Sequence, residues 1–488
     1  MNLNKLIELV NPLDFTCRKQ TGEVGPLFQD SRKVTEGSVF IAIKGTEVDG
    51  HLFLEDAVHR GAKVLICEDS FYTSTPGVCV MEVEDTRALI GPLAQHFEDE
   101  PGLKLKVIGI TGTNGKTTTA TLVHQVLTSL DKKASLLGTV AKIINNRVYH
   151  SKLTTSDPIE LAADMKAMVE AGSEYLVMEV SSHALHQHRV GGVKFSVAAF
   201  TNLSHDHLDY HETLDEYAAA KKMLFDGLEP SATAIVNMDD EYGSFMVSNC
   251  SATISPIKFQ NGNATILSNS PEGLAISIDG VEIRTPLIGT FNAYNIAEAF
   301  LICKAIGLPT NDIVDAIEVA PGAPGRMESI SIESILPTPT VIVDYAHTPD
   351  ALENVLSTLK ELKSDNQKLF AVFGAGGDRD TTKRPEMAEV AERLADEIIV
   401  TSDNPRTENP DLIIADIING FTSTDNVTSI TLRRKAIYKA IELASGNDII
   451  LIAGKGHEDY QEINGVRHAF DDRVIARKAL QIKADGGL

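Results

Sequence analysis

A glycine- and threonine-rich stretch, Gly112-Thr-Asn-Gly-Lys-Thr117, has the residue types needed to bind the phosphates of a nucleotide. It follows the apolar run 105–110 and precedes a helical pattern. Glycines let backbone N–H groups turn toward an anion, the helix N-terminus adds positive potential, and Lys116 can reach the terminal phosphates. Thr117 offers a hydroxyl to Mg²⁺. The general pattern has glycine where this chain has Ile110, so the sequence predicts a variant phosphate loop.

A second candidate group combines a carboxylate with histidines. Glu179 ends the apolar run 175–178, where a carboxylate beside a phosphate loop can hold Mg²⁺ directly or through water. The histidine-rich runs 181–189 and 205–211 raise the alternative of zinc. The His-Glu-x-x-His arrangement is absent and no cysteine lies nearby, which argues against zinc. We expect one or two of these histidines to contact Mg²⁺ or a polar substrate, and the others to be hydrogen-bonded for structural reasons.

The last third of the chain repeats one pattern four times, an apolar run that ends in a polar cluster. In open α/β sheets, ligands bind beyond the carboxyl ends of the strands. The four clusters are therefore expected to form one side of a ligand site. They are Asp344-Tyr-Ala-His347, Gly374-Ala-Gly-Gly-Asp-Arg-Asp380, Ser402-Asp-Asn-Pro-Arg406 and Gly454-Lys-Gly-His-Glu458.

The elements that must position these residues fall into three segments. Short apolar runs alternate with helical patterns, which is typical of mostly parallel sheets covered by helices. We predict an α/β fold in which a small N-terminal α/β domain precedes a central phosphate-loop domain, with helices on both faces of a parallel sheet, and a C-terminal Rossmann-like domain. The polar stretch 98–102 and the Pro/Gly-rich stretch 321–325 mark the breaks. The predicted domains are residues 1–100, 101–328 and 329–488.

Composition limits the classes of function. The 488 residues include 44 Lys and Arg against 68 Asp and Glu, a net charge of −24. So acidic a chain binds nucleic acid or an anionic membrane poorly, and an anionic ligand must be held by local groups. No apolar run reaches the length of a spanning helix and no export signal is visible, so we expect a cytoplasmic protein. Five cysteines without a CxxC pair argue against a disulfide framework.

Taken together, these motifs resemble the Mur ligases, the ATP-dependent amide-forming enzymes of peptidoglycan precursor synthesis. The resemblance spans essentially the whole chain, and its motifs occur in the family's order. They are Asp30-Ser-Arg32, Thr111-Gly-Thr-Asn-Gly-Lys-Thr117, Met178-Glu-Val-Ser-Ser-His183, Asn202-Leu-Ser-His-Asp-His-Leu-Asp209, Gly289-Thr-Phe-Asn-Ala-Tyr-Asn295, Pro324-Gly-Arg-Met-Glu328, Asp344-Tyr-Ala-His-Thr-Pro349, Asp403-Asn-Pro-Arg406 and Gly454-Lys-Gly-His-Glu458.

The resemblance implies the reaction and its participants. Within the family the chain is similar to the branch that adds meso-2,6-diaminopimelate to the D-glutamate γ-carboxylate of UDP-MurNAc-L-Ala-D-Glu, through an acyl phosphate. It implies ATP and Mg²⁺ as cofactors, small-molecule substrates, a monomer, and a role in cell wall biogenesis and so in cell shape and division. A protein of this kind needs no nucleic acid and no membrane.

The resemblance also assigns site residues. For ATP it implies Gly112, Thr113, Asn114, Gly115, Lys116, Thr117, Thr118, Asn292, Arg326, Asp344 and His347. For the UDP-muramoyl dipeptide it implies Ser31, Thr154, Thr155, Ser181, Gln187 and Arg189. For diaminopimelate it implies Arg384, Asp403, Asn404, Arg406, Gly454 and Glu458. Lys116, Glu179, His207 and Lys221 are the implied catalytic residues.

Metal binding in the family involves a carbamylated lysine. The resemblance implies Mg²⁺ near Thr117, Glu179 and His207, with carbamylated Lys221 helping to position a second ion; Lys222 is the alternative position. A carbamate turns a cation into an anionic oxygen donor, which a hard cation prefers. Without the family, the default interpretation is a solvated helix lysine.

Arg406 bears on which amino acid is added. Diaminopimelate differs from lysine by one carboxylate, and a guanidinium can bind a carboxylate through two hydrogen bonds. Lysine would leave that group unpaired, so Arg406 argues against a lysine-adding ligase. A turn arginine paired with Glu408 is the competing interpretation of Arg406. For the chain as a whole, the competing functions are a folate-type polyglutamate ligase, which would not need the N-terminal segment, a phosphate-loop ATPase that forms no bond, and a binding module without turnover.

Overall fold

The structure is a computed structural model of the whole chain and describes residues 1–17, 22–45, 48–68, 77–145, 147–151, 153–333 and 337–487. It divides into two compact units. The first comprises Met1–Lys258 and Glu298–Ile313, and the second comprises Phe259–Ala297 and Val314–Leu488. Within the described ranges, no helix is long and apolar enough to cross a membrane. The predicted division into residues 1–100, 101–328 and 329–488 stays a prediction.

A five-stranded sheet in the order β1-β5-β4-β3-β2 opens the first unit. Its three middle strands are almost fully buried and apolar, as expected for a sheet covered on both faces. The strands are β1 (Asp14–Phe15), β2 (Leu27–Phe28), β3 (Val39–Ile41), β4 (Val64–Cys67) and β5 (Cys79–Glu82). The helices are α1 (Leu3–Val10), α2 (Leu54–His59) and α3 (Thr86–Phe97). Short 3₁₀ helices span Ser31–Lys33, Gly50–Phe53 and Pro101–Leu103.

An eight-stranded sheet follows, in the order β13-β12-β11-β6-β10-β7-β8-β9. Six neighbouring strands are parallel, and the β7–β8–β9 edge is antiparallel. The strands are β6 (Lys106–Thr111), β7 (Ala134–Leu137), β8 (Lys142–Ile144), β9 (Arg147–Tyr149), β10 (Tyr175–Glu179), β11 (Phe195–Phe200), β12 (Thr233–Asn237) and β13 (Thr253–Ile257). The helices are α4 (Lys116–Ser129), α5 (Pro158–Glu170), α6 (Ser182–His186), α7 (Leu208–His211), α8 (Leu214–Asp226) and α9 (Gly243–Met246).

Local sequence explains where these helices begin. Asp157 precedes α5, and its carboxylate accepts from two backbone N–H groups in the first turn of that helix. The hydroxyls of Ser181 and Thr213 cap α6 and α8 in the same way. Such side chains satisfy N–H groups that have no partner within the helix. These caps determine the residues at which α5, α6 and α8 begin.

The second unit contains a six-stranded sheet in the order β17-β18-β22-β19-β20-β21, parallel except for β17. Four buried apolar strands form its centre. The strands of the unit are β14 (Ala264–Ser270), β15 (Gly273–Ile278), β16 (Val281–Thr285), β17 (Glu328–Ile330), β18 (Thr340–Asp344), β19 (Leu369–Phe373), β20 (Glu397–Thr401), β21 (Val427–Ile430), β22 (Ile449–Ala453), β23 (Tyr460–Ile463) and β24 (Val466–Ala469). The helices are α12 (Pro349–Leu362), α13 (Lys383–Leu394), α14 (Pro410–Ile418), α15 (Arg433–Leu443) and α16 (Asp472–Ala484). Helices α10 (Thr290–Ala305) and α11 (Thr310–Glu318) contain points where the chain passes from one unit to the other.

The predicted fold class is confirmed, since both large sheets are mostly parallel and alternate with helices along the chain. One covalent feature was not predicted. Cys17 and Cys79 form a disulfide in the first sheet region, and Cys67, Cys250 and Cys303 lie outside this bridge as thiols. A single bridge is not a disulfide framework, but the cysteine spacing gave no indication of it.

Candidate active site

The phosphate loop connects β6 to α4, as the sequence predicts. Gly112 and Gly115 adopt φ values of +146° and +88°, which favour glycine, and a Cβ at Gly112 would collide with the Thr201 hydroxyl. Lys116 folds over the loop, with Nζ donating to the carbonyl oxygens of Gly112 at 2.9 Å and Thr113 at 2.7 Å. The lysine thus lies directly over the loop at the N-terminus of α4.

The residues that follow β11 anchor this loop. Backbone N–H of Asn114 donates to Asn202 Oδ1 at 3.0 Å, and its carbonyl accepts from Thr201 Oγ1 at 2.5 Å. The N–H of Ser204 donates to Thr113 Oγ1 at 3.0 Å. Hydrogen bonds from a neighbouring strand end therefore hold the loop, which reduces the reorganisation needed to receive an anion.

Glu179 lies buried at the end of β10, next to the first turn of α4. Its Oε2 accepts from Thr117 Oγ1 at 2.9 Å, and its Oε1 accepts from the N–H of Thr139 at 2.8 Å. A Cβ at Gly138 would collide with the carboxylate, so the chain approaches closely there. A carboxylate beside a hydroxyl at a phosphate loop is an oxygen donor set suited to a hard divalent cation.

The two candidate lysines of α8 have different environments. Lys221 is 1% exposed; its Nζ donates to the carbonyl of Gly112 at 2.8 Å and lies 4.2 Å from the ring centroid of Tyr217. Burial, and secondarily the charge of Lys116, lowers the pKa of Lys221 well below its usual value. Lys222 instead pairs with Asp226. Lys221, the predicted position of the carbamate, therefore contacts the phosphate loop, whereas Lys222, the alternative, pairs with Asp226.

The histidine-rich runs form a cluster of rings. The ring centroid of His183 lies 4.9 Å from that of His207 and 5.5 Å from that of His211. His211 is buried, bonds to Ser182 Oγ at 3.0 Å, and has its pKa lowered to about 4 by burial. His207 is half exposed with φ +54°. Over the part of the chain that the structure describes, no three His, Cys, Asp or Glu side chains are arranged to hold a metal ion.

The residues implied for the dipeptide end of the substrate lie together beside Glu179. Arg189 donates to Gln187 Oε1 through Nε at 3.0 Å and Nη2 at 2.7 Å, and through Nη1 to the Thr155 carbonyl at 3.2 Å. The N–H of Ser181 donates to Thr155 Oγ1 at 3.1 Å, and Thr154 Oγ1 bonds to Thr139 Oγ1 at 3.0 Å. All five implied residues thus belong to one connected network.

A cavity of about 230 Å³ in the first unit joins this network to the N-terminal sheet region. Its lining residues come from both sheet regions: Gln29, Ile43, Gly45, Arg87, Ile90, Leu153, Asp157, Pro158, Gln187 and Arg189. Arg87 is held by hydrogen bonds to the carbonyl of Lys44. Ser31 is buried two residues from Gln29 and does not line this cavity. Two arginines, Arg87 and Arg189, thus line this cavity, although the protein as a whole is strongly acidic.

Three of the implied nucleotide residues in the second unit are close together. Asp344, buried at the end of β18, accepts from the N–H of Met327 at 2.7 Å and of Ala346 at 2.8 Å, and burial raises its pKa. The guanidinium of Arg326 lies 5.0 Å from the ring centroid of Tyr345. His347 follows on the same loop, exposed.

Asn292 differs from these residues. It is buried in the first turn of α10, where its Nδ2 donates to the Ile288 carbonyl at 2.8 Å and its Oδ1 accepts from Asn295 at 2.8 Å. Both ends of the amide are thus occupied by its own helix region. The structure shows Asn292 supporting that helix and does not place it in contact with Asp344.

The strand-end clusters of the second unit bring together most of the residues implied for diaminopimelate. Asn404 Nδ2 donates to Glu458 Oε2 at 2.8 Å, and a Cβ at Gly454 would collide with the carboxylate of Asp403. Arg406 has φ +50°, and its Nη1 donates to the Gly377 carbonyl at 2.5 Å. The guanidinium is half buried and does not point into bulk solvent.

Arg384 is the remaining residue implied for diaminopimelate, and two ion pairs hold it. It is 1% exposed, and its guanidinium donates to both oxygens of Glu408 at 2.9 Å and to Asp416 at 2.8 Å. These two carboxylates hold its Nη1 and Nη2 groups, and its role toward diaminopimelate stays a prediction. The guanidinium of Arg406 donates to the Gly377 carbonyl, whereas Glu408 accepts from Arg384 and from the N–H of Asp378, so these contacts do not favour the competing pairing of Arg406 with Glu408.

Comparison with known proteins agrees with these features along the whole chain. Family models match in three parts: the Mur ligase family catalytic domain at residues 27–98, the Mur ligase middle domain at residues 110–303 and the Mur ligase glutamate ligase domain at residues 325–456. A UDP-N-acetylmuramoyl-L-alanyl-D-glutamate–2,6-diaminopimelate ligase of Cytophaga hutchinsonii is 42% identical, covering 98% of this chain and 99% of that protein.

Solved structures give the same result. A UDP-N-acetylmuramoyl-L-alanyl-D-glutamate–2,6-diaminopimelate ligase is 33% identical with a TM-score of 0.71, and 98% of each chain is covered. A MurF ligase from Thermotoga maritima in complex with ADP is 17% identical with a TM-score of 0.57, covering 95% of this chain and 97% of that one; it shares the fold. From its phosphate loop, its strand-end clusters and these full-length similarities, the chain belongs to the Mur ligase family.

Proposed function

We propose that this protein is the ATP-dependent ligase that joins meso-2,6-diaminopimelate to the D-glutamate γ-carboxylate of UDP-MurNAc-L-Ala-D-Glu in peptidoglycan precursor synthesis. The observation that carries the proposal is that two sets of groups, each suited to one half of the reaction, occur in one chain. The first unit has a phosphate loop with Lys116 and Glu179, and the second has a charged pocket with Asp403, Arg406 and Glu458. The full-length similarity to ligases with this name supports it.

The phosphoryl-transfer half of the reaction uses the groups around the loop. A carboxylate does not condense with an amine in water because its oxygen is a poor leaving group, so transfer of the γ-phosphoryl of ATP to the carboxylate forms an acyl phosphate. Lys116 and the loop N–H groups stabilise the negative charge that gathers on the transferring group. The network around Arg189 holds the dipeptide carboxylates close to Glu179 and the loop.

Magnesium fits the donors that are present. Thr117 Oγ1 and Glu179 Oε2 are hard oxygen donors 2.9 Å apart, and the ring centroid of His207 lies 4.9 Å from that of His183. These residues, with Lys221 as a carbamate, would hold Mg²⁺, which screens the phosphate charges when bound.

Carbamylation of Lys221 is supported by the chemistry of its site. The neutral amine attacks CO₂, a C–N bond forms, and one proton is released to give an anionic carbamate. Burial lowers the pKa of Lys221 well below its usual value, which supplies the neutral amine that this step requires. Lys222 is instead paired with Asp226.

The amide-forming half of the reaction uses the second unit. Arg406 is suited to the distal carboxylate of diaminopimelate, and Glu458 and Asp403 are suited to its ammonium group. The amine attacks the acyl phosphate, the C–N bond forms and inorganic phosphate leaves. Lysine has no distal carboxylate, so it would leave the Arg406 guanidinium without this partner.

We further propose that the ligase acts on small molecules as a cytoplasmic monomer. The net charge of −24 disfavours self-association and binding to anionic surfaces. Light scattering of the purified protein tests this, and a concentration-independent dimer would contradict it.

One assay tests the function directly. Purified protein is incubated with ATP, Mg²⁺ and UDP-MurNAc-L-Ala-D-Glu, and product is detected by mass for meso-diaminopimelate, L-lysine and no amino acid. We expect the diaminopimelate product and phosphate release that requires both substrates. A lysine product alone would identify the sister ligase, and equal phosphate release without either substrate would identify an ATPase that forms no bond.

A further inference from the structure

Lys455 is a buried lysine at the centre of the second unit's pocket. It follows β22, its side chain is 0% exposed, and its Nζ donates to Asn404 Oδ1 at 3.0 Å and to Glu458 Oε2 at 2.9 Å. The carboxylate of Asp403 lies 4.0 Å away. Burial of an ammonium group is costly unless it is paired and hydrogen-bonded, so these contacts fix the position of Lys455 closely.

The contacts of Lys455 decide how Asn404 is oriented. An ammonium group can only donate, so the amide oxygen of Asn404 must face Lys455. The N–H of Glu462 donates to the same oxygen at 2.9 Å, and the amide nitrogen is thereby directed at Glu458 Oε2 at 2.8 Å. Loss of Lys455 would remove one of the two donors that specify this orientation.

Lys455 also sets the charge of the pocket. Arg433, the other buried cation nearby, is bound through two hydrogen bonds, at 2.8 Å and 2.7 Å, to its own partner Asp472. Lys455 therefore offsets one of the two carboxylates of Asp403 and Glu458. The guanidinium of Arg406, placed in the same pocket, offsets the other.

We propose that Lys455 is a positioning residue for the amino acid substrate, because its hydrogen bonds orient the side chains of Asn404 and Glu458. This inference rests on the proposed function, because it concerns the same pocket. Its effect should appear in recognition of the amino acid and not in the use of ATP.

The test compares Lys455→Met with a matched control. Methionine keeps the length of the side chain and removes the charge and the donors. Lys439 provides the control, since it forms a lysine–glutamate pair with Glu442 at the same three-residue spacing but on the surface of α15. We expect Lys455→Met to raise KM for diaminopimelate about tenfold or more, with KM for ATP changed by less than about twofold. Lys439→Met should change neither.

A double variant separates positioning from a general loss of structure. If Lys455 acts through Glu458, Lys455→Met in a Glu458→Gln background should add little to the KM of Glu458→Gln alone. The proposal would be overturned if the KM increases of the two single variants multiplied in the double variant. An unchanged KM for diaminopimelate in Lys455→Met would also overturn it. Should Lys455→Met not fold, Lys455→Gln replaces it, and failure of both to reach wild-type ATP affinity would show a purely structural lysine. Wild-type protein that makes no diaminopimelate product would instead reject the proposed function itself.

Discussion

Glu298 gives a prediction whose size can be worked out from the structure. This carboxyl lies in α10 and is 0% exposed; its Oε2 accepts from Thr119 Oγ1 of α4 at 3.0 Å. Its Oε1 has no hydrogen-bond partner among the described residues. Burial raises the pKa of Glu298 to about 8, from an ordinary 4.5. An acid of this kind is neutral in the folded protein at neutral pH and charged in the unfolded chain.

The difference in the pKa of Glu298 between the folded and unfolded states sets the direction and size of the effect of pH on stability. Between pH 4.5 and 8 the folded state binds the proton and the unfolded state does not, so stability falls as pH rises through this window. Each pKa unit corresponds to about 1.4 kcal/mol, so 3.5 units give an upper bound of about 5 kcal/mol. The contribution is fully present below pH 4.5 and is lost once the pH reaches about 8.

The assay measures how stability changes with pH in wild-type protein and in Glu298→Gln. Glutamine leaves its amide nitrogen at the position where Oε1 lacks a partner, which costs roughly 1–3 kcal/mol at every pH. The unfolding free energy of wild type should therefore fall relative to that of Glu298→Gln by several kcal/mol between pH 5 and pH 8. This relative change is expected whichever protein is the more stable at pH 5. Denaturant unfolding at three or four pH values, followed by a probe in the first unit, measures this shift. Parallel pH curves would show that Glu298 is ionised in the folded protein and would refute the reasoning.

Three further predictions concern single side chains. Arg406→Ala should raise KM for diaminopimelate by about ten- to a hundredfold with little change in ATP affinity, measured by steady-state kinetics, and unchanged KM would remove Arg406 from the pocket. Lys221→Ala should lose most turnover, and added bicarbonate should not restore it, whereas bicarbonate should raise the activity of CO₂-depleted wild type. Arg384→Ala should lower the unfolding free energy by about 1–3 kcal/mol, since it removes the buried guanidinium that joins Glu408 and Asp416, and a melting temperature equal to wild type would contradict this.

Much of the fold can be predicted from the sequence because its strands are buried on both faces. The apolar runs 369–373 and 449–452 coincide with β19 and β22 almost residue for residue, and the run 105–110 is displaced by one residue from β6. Such runs have no competing interpretation once glycine and polar residues bound them. The β8–β9 hairpin and the three strands β14 to β16 were not predicted, since they are short, half exposed or rich in polar residues.

Sequence reasoning can bring candidate site residues together where position along the chain determines position in space, and their roles stay predictions. Lys116 and Glu179 stand at strand ends, and parallel pairing of β6 with β10 brings those ends together. The sequence does not indicate the ion pairs of Arg384, because only the fold shows that this side chain turns inward to Glu408. Lys455 was missed for a related reason: one lysine in a Gly-Lys-Gly turn gives no sign that it will be enclosed by three polar residues.

The phosphate loop shows why a buried lysine can be useful in so acidic a protein. Lys116 and Lys221 both donate to the carbonyl oxygen of Gly112, at 2.9 Å and 2.8 Å. Burial, and secondarily the repulsion between two ammonium groups on one carbonyl, lowers the pKa of Lys221 well below its usual value. A neutral amine there can be carbamylated, and the anionic product would attract Lys116 where the ammonium group repelled it. The same contact that penalises a charged Lys221 therefore favours its modified form, and it does so at the position where oxygen donors to a divalent cation are needed.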